Sequence, residues 1–145
     1  MQLYFKKLKE SAILPIRATR DSAGADLFAC LEQPVTVLAG ETVMIPLGIA
    51  AQPSDSKIVM LIFPRSGLAS RYGITLANAV GVVDSDYRGE WMIPLHNISR
   101  EDFTVTHGMR IAQVVVTPVL FPEIVETDRI NETQRGTSGF GSSGL

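Results

Sequence analysis

Cysteine is nearly absent from this chain of 145 residues, where Cys30 stands alone. No intrachain disulfide can form and cysteine-rich zinc patterns are excluded, which fits a reducing compartment such as the cytoplasm. Histidine is almost as scarce. His96 and His107 have neither metal-ligand spacing nor an adjacent nucleophile, so both read as structural residues and no Ser/His/Asp triad can be argued. Basic charge is not in excess either: 13 Lys and Arg against 15 Asp and Glu leave a net charge of −2. Such a chain does not hold nucleic acid by bulk electrostatics, and any anion must be held by a few placed basic groups. No apolar run reaches membrane-spanning length, and the opening MQLYFKKLKE lacks the apolar core of a signal peptide. The chain reads as soluble and intracellular, with no membrane partner.

What is present is mostly β pattern. The runs Leu3 to Leu8, Asp26 to Leu31, Val35 to Leu38, Thr42 to Ala51 and Lys57 to Phe63 are short, β-branched or aromatic, and broken by Gly, Pro or Asp. Ile74 to Val83, Glu90 to Asn97, Phe103 to Thr106 and Ile111 to Leu120 continue the series, and only Ser66 to Tyr72 reads as helix. Many short strands with turn signals between them suggest a sandwich, jelly roll or partly closed barrel. The length allows one domain. With 46% apolar residues, part of the apolar surface is expected to be buried between subunits, which points to a homo-oligomer. Composition shifts once, after about Glu132, dividing a β-domain of residues 1–132 from a Gly/Ser-rich tail of residues 133–145.

Four interior stretches combine glycine with polar residues beyond what packing requires. Ala23-Gly24-Ala25-Asp26-Leu27 places an acidic residue at the start of a strand. In Phe63-Pro64-Arg65-Ser66-Gly67 a strand runs into a short helix start, where Arg65 and Ser66 offer donors to a phosphate, or where Ser66 simply caps the helix. Asn78 to Glu90 reads as a β-hairpin with a wide polar loop holding Asp84, Asp86, Tyr87 and Arg88. Gln113 sits inside an otherwise buried run, and a buried amide without partners costs about 1–3 kcal/mol. The tail RGTSGFGSSGL has the composition of a flexible segment, yet carries one Arg and one Phe among glycines. Its Gly139-Phe140-Gly141-Ser142-Ser143-Gly144 spacing matches a dinucleotide fingerprint, but the strand before and the helix after are missing.

In order, AGADL, PRSGLASRYGI, NAVGVVDSDYRGE, GMRIAQ and RGTSGFGSSG resemble the five motifs of the trimeric dUTPase family. The resemblance implies an all-β, distorted jelly-roll or β-clip subunit with one short helix, forming a homotrimer with active sites where subunits meet. It implies hydrolysis of dUTP to dUMP and pyrophosphate with Mg²⁺ on the triphosphate, which limits uracil in DNA and supplies dUMP for thymidylate synthesis. Asp84 would be the general base that activates water at the α-phosphorus. An ordinary aspartate is a weak base, so its value must come mainly from placement. Asp26 would hold the metal through its water shell. Arg65, Ser66 and Gln113 would contact the phosphate chain, and Gly67 would allow close backbone approach. Tyr87 would pack where a 2′-hydroxyl would sit. Asn78, with backbone groups at Gly81 and Val83, would read the uracil edge. Arg135 would supply charge to the γ-phosphate and Phe140 would stack on uracil. Gly141, Ser142 and Ser143 would offer donors to the terminal phosphate, making the tail a lid. Ser138 and Ser143 stand where the family commonly has glycine and threonine. A dCTP deaminase of the same fold and a non-catalytic trimeric binding protein remain as alternatives.

Overall fold

The computed structural model describes residues 1–139. Eleven strands and one helix run in the order β1 (Leu3–Lys7), β2 (Ala25–Phe28), β3 (Val35–Val37), β4 (Thr42–Pro46), β5 (Ile49–Pro53), β6 (Ile58–Pro64), α1 (Ser66–Tyr72), β7 (Ile74–Leu76), β8 (Gly81–Val83), β9 (Met92–Asn97), β10 (Phe103–Val105) and β11 (Arg110–Pro118). A four-stranded sheet has the order β2-β11-β6-β8 and a three-stranded sheet the order β4-β9-β7, with β1-β5 and β10-β3 as two-stranded ribbons. Every pairing between these strands is antiparallel. Side chains alternate across each sheet, so in β6 Ile58, Met60 and Ile62 face the core while Val59, Leu61 and Phe63 are half-buried. Trp91, Leu27, Ile45, Ile49 and Ile93 lie at the centre of that core, and the Phe5 ring meets Trp91 edge-on at 5.5 Å.

Two expected strands are each broken by a turn. Thr42 to Ala51 divides into β4 and β5 at Gly48, whose φ is +66°. Only glycine serves there, since a Cβ would stand 2.8 Å from the Cys30 sulfur. Ile74 to Val83 divides into β7 and β8 around Ala79, which itself adopts φ +60°. The expected hairpin is corrected with it. The strands flanking the polar loop do not pair with each other, because β8 joins β6 while β9 lies between β4 and β7. The chain crosses between the two sheets so that Trp91 can be buried at 2% exposure, its backbone N–H donating to the Ile49 carbonyl at 2.9 Å. Beyond Pro118, residues 119–139 form no helix or strand.

Candidate active site

The residues singled out by sequence fall into two groups on either side of β6. The first gathers at the C-terminal end of β6. Asp26 on β2 pairs with Gln113 on β11, which pairs with Phe63 on β6. Asp26 Oδ1 accepts from Nε of Arg65 at 2.8 Å, and Oδ2 accepts from Nη2 of Arg65 at 3.4 Å and Nη1 of Arg110 at 3.3 Å. This carboxylate is only 14% exposed, so the fork-shaped contact fixes Arg65 while its positive charge stays near the surface. Gln113 finds its partner as Nε2 donates to the Pro64 carbonyl at 3.0 Å. Its Oε1 lies over Gly24, where a Cβ would come within 2.5 Å of it. The helix-cap reading of Ser66 is not what forms: Arg65 occupies the N-cap without a side-chain cap bond, and Ser66 and Gly67 are exposed.

The second group builds a cavity of about 350 Å³ against β8. Asn78, Gly81, Val83, Asp84 and Tyr87 all line it, joined by Met44, Ile62, Trp91 and Met92. A Gly81 Cβ would stand 3.2 Å from Ile62 Cβ, tighter than an ordinary contact, and 3.5 Å from Asn78 Nδ2. The polar loop is tied to itself: Tyr87 N–H donates to the Asp84 carbonyl at 3.2 Å, and Nη1 of Arg88 donates to the carbonyls of Ser85 at 2.7 Å and Tyr87 at 3.0 Å. Tyr87 hydroxyl donates to the Glu90 carbonyl at 3.1 Å. Asp84 is exposed on the cavity wall, whereas Asp86 does not line that cavity and joins Asp84 in a second one with Val119 and Phe121.

Within one chain the first group lies at the C-terminal end of β6, whereas Asp84 of the second lies towards its N-terminal end. Ile62 pairs with Gly81 and Met60 with Val83, so the Asn78 end of the cavity lies near the C-terminus of β6 and the Asp84 end near its N-terminus. Arg65 follows Met60 by five residues, which is roughly 16 Å of strand. Arg135 joins neither group, as its Nε turns back to the Ser138 carbonyl at 3.0 Å. Phe140, Gly141, Ser142 and Ser143 lie outside the described residues. Arg110, Glu90, Trp91 and Met44 were not singled out by sequence. Arg110 stands within the GMRIAQ stretch and could have been found as a second guanidinium across from Asp26; the others carry no local signal.

A protein-family model described as dUTPase matches residues 10–144. A deoxyuridine 5′-triphosphate nucleotidohydrolase of Rickettsia felis is 48% identical over 145 residues, covering 99% of this chain and 97% of the relative. The protein of the same name from Gamma-proteobacterium EBAC31A08 is 47% identical over 132 residues, covering 91% of this chain and 95% of its own. Among solved structures, Staphylococcus bacteriophage 80alpha dUTPase with dUPNHPP aligns at a TM-score of 0.89 and 25% identity over 99% of both chains. A mutant dUTPase from phage phi11 of S. aureus, described for the coordination of a structural Mg(II) ion, shares the fold at a TM-score of 0.81 and 21% identity, over 91% of this chain and 100% of that one.

Proposed function

The chain belongs to the dUTPase family, and on that premise we propose how its residues hydrolyse dUTP to dUMP and pyrophosphate. The cavity beside β8 takes the nucleoside. Asn78 and the backbone at Gly81 and Val83 read the uracil edge, and close walls leave no space for a thymine methyl. The face of Tyr87 lies against the deoxyribose, where an added 2′-hydroxyl is left unpaired; such rejection is worth on the order of 100-fold. Asp84 holds a water in line with the α-phosphorus. As the water oxygen bonds to phosphorus, the bond to the bridging oxygen breaks, pyrophosphate leaves, and the water proton passes to the Asp84 carboxylate.

The observation that carries this reading is that Asn78, which precedes β8, and Asp84, which follows it, line one cavity of about 350 Å³. A nucleotide with its base at Asn78 directs its phosphates towards Asp84, away from Arg65 of the same chain. The phosphates therefore meet Arg65, Ser66, Gly67 and Gln113 of a neighbouring copy, as in a closed three-fold trimer. Exposed apolar side chains on the irregular segment favour such an assembly: Leu120 is 89% exposed, Ile124 98% and Ile130 89%. Arg135, Phe140, Gly141, Ser142 and Ser143 then act as a lid over a bound nucleotide.

Phosphate oxygens and water are the natural ligands for Mg²⁺ here. Among the described residues no group of three or more His, Cys, Asp or Glu is gathered to hold a metal, and both oxygens of Asp26 already face guanidinium groups. With Asp26 engaged by two guanidinium groups, Mg²⁺ would be held mainly by phosphate oxygens and water, and Asp26 would reach it only through water. When bound, the ion offsets negative charge on the triphosphate. No helix among the described residues is long and apolar enough to cross a membrane. The lone buried Cys30 fits a cytoplasmic setting.

The test is pyrophosphate release with Mg²⁺ from dUTP, dCTP, TTP and UTP in parallel, with ammonia followed for dCTP. Release from dUTP alone is expected, and ammonia from dCTP would replace this reading with deamination. Asp84→Asn should lower turnover by roughly 10²–10⁴-fold while nucleotide binding persists. Near-normal turnover in that variant would remove Asp84 as the base.

A further inference from the structure

Rejecting one hydroxyl group requires Tyr87 to stand still, yet its side chain is 46% exposed on a loop and has little packing to hold it. What holds it is a chain of contacts leading back to the core. The hydroxyl donates to the Glu90 carbonyl at 3.1 Å, and the ring lies so close over Gly89 that any side chain there would overlap it. Glu90 is in turn anchored by its own carboxylate, where Oε1 accepts from the Gly48 N–H at 3.0 Å. Gly48 is itself held in its left-handed turn, where its carbonyl accepts from the Leu8 N–H at 2.8 Å and no Cβ would fit beside Cys30 and Ala12. The strands on either side of it are tied to Trp91 by the Leu47 N–H at 3.0 Å and the Ile49 carbonyl at 2.9 Å.

We propose that Glu90 is a positioning residue for sugar selection: its carboxylate ties the loop to the Gly48 turn and sets where Tyr87 stands. The proposal rests on the reading of Tyr87 as the deoxyribose contact. The charge of Glu90 is not itself required. An amide oxygen at the same place accepts the same N–H, so Glu90→Gln keeps the tie and Glu90→Ala removes it.

The experiment measures kcat and KM for dUTP and UTP, and reads the ratio of the two kcat/KM values. Glu90→Ala should lower that ratio about tenfold, part of the roughly 100-fold that an apolar contact supplies. Glu90→Gln should stay within about threefold of the parent, since it retains an acceptor. Gly89→Ala, which displaces Tyr87 without touching Gly48, should lower the ratio as Glu90→Ala does, and serves if that variant folds poorly. Adding Glu90→Ala to Tyr87→Ala should change the ratio no further. A fall in both substrates by one common factor, with the ratio unchanged, would mark Glu90 as a stability residue and overturn the proposal. If Tyr87→Ala itself leaves the ratio unchanged, the fault lies with the reading of Tyr87, and the positioning role of Glu90 falls with it.

Discussion

Gly24→Ala tests the geometry of the cationic group more sharply than any charge substitution, because the added atom touches one side chain. The new Cβ would lie 2.5 Å from Oε1 of Gln113 and 3.3 Å from its Cδ. A relaxed carbon–oxygen contact needs about 3.3 Å or more, so the carboxamide must retreat by about 0.8 Å. It can do so, being the free end of a flexible side chain, but the 3.0 Å bond from Nε2 to the Pro64 carbonyl is then stretched or lost. One neutral hydrogen bond contributes about 0.5–1.5 kcal/mol, so the loss of stability should be modest, about 2–6 °C in Tm. The catalytic effect should be larger. A phosphate contact displaced by nearly 1 Å costs on the order of 10–100-fold in kcat/KM for dUTP. Thermal unfolding at fixed protein concentration gives the first quantity and steady-state kinetics the second. Adding Gln113→Ala removes the clash and the hydrogen bond together, so the double variant should match Gln113→Ala alone in both Tm and kcat/KM. A Gly24→Ala protein with parental Tm and parental kcat/KM would refute both the packing of Gln113 over Gly24 and its use on the phosphates.

Deleting residues 135–145 should cripple dUTP hydrolysis while light scattering still reports trimers; monomers would make the tail structural and the lid reading wrong. Trp91 is the sole tryptophan and lines the cavity, so dUMP should change its fluorescence while pyrophosphate alone should not. An equal response to both would place the nucleoside elsewhere. Replacing Leu120 and Ile124 together by Ser should weaken assembly and make activity per chain fall on dilution, since burying each large apolar side chain contributes about 1.5–3 kcal/mol. Unchanged sedimentation at low concentration would show that these side chains do not lie between subunits.

Much of the strand layout was legible because period-two alternation and turn residues act locally. The break at Gly48 was not, since glycine also occurs inside strands, and what makes it a corner is the Cys30 sulfur, far away in sequence, filling the space of a side chain. Ala79 carries no signal for a left-handed turn at all; its φ of +60° follows from β8 leaving one sheet for the other. The same limit applies to the site. Polar residues among glycines marked Asp26, Arg65, Asp84, Tyr87 and Gln113 as positions of interest, because packing alone does not ask for them. Arg110 and Glu90 look like ordinary surface charges until Asp26 and the Gly48 N–H are seen across from them. Nor does sequence say which groups share a chain end. Strand register does.

Register is also the reason the proposed site calls for more than one copy. The sheet order β2-β11-β6-β8 puts Asp26 and the cavity on opposite edges, three strand spacings or about 14 Å apart. Along β6 the mismatch has a direction: Arg65 lies at the end paired with Gly81, where the proposal puts the base, and Asp84 follows Val83 at the other end, where it puts the attacking water. No rotamer of Arg65 reverses that order, because the pairing of Gly81 with Ile62 fixes it. On the proposed reading, each chain presents a nucleoside pocket without a phosphate clamp, and a phosphate clamp without a pocket. A head-to-tail contact that sets one against the other completes a site and leaves the same two halves free at its ends. Repetition continues until the ring closes, and closure on itself is what distinguishes a finite oligomer from a filament. A proposed trimer is therefore tied to the catalytic geometry, since hydrolysis and assembly rest on the same two edges of one sheet.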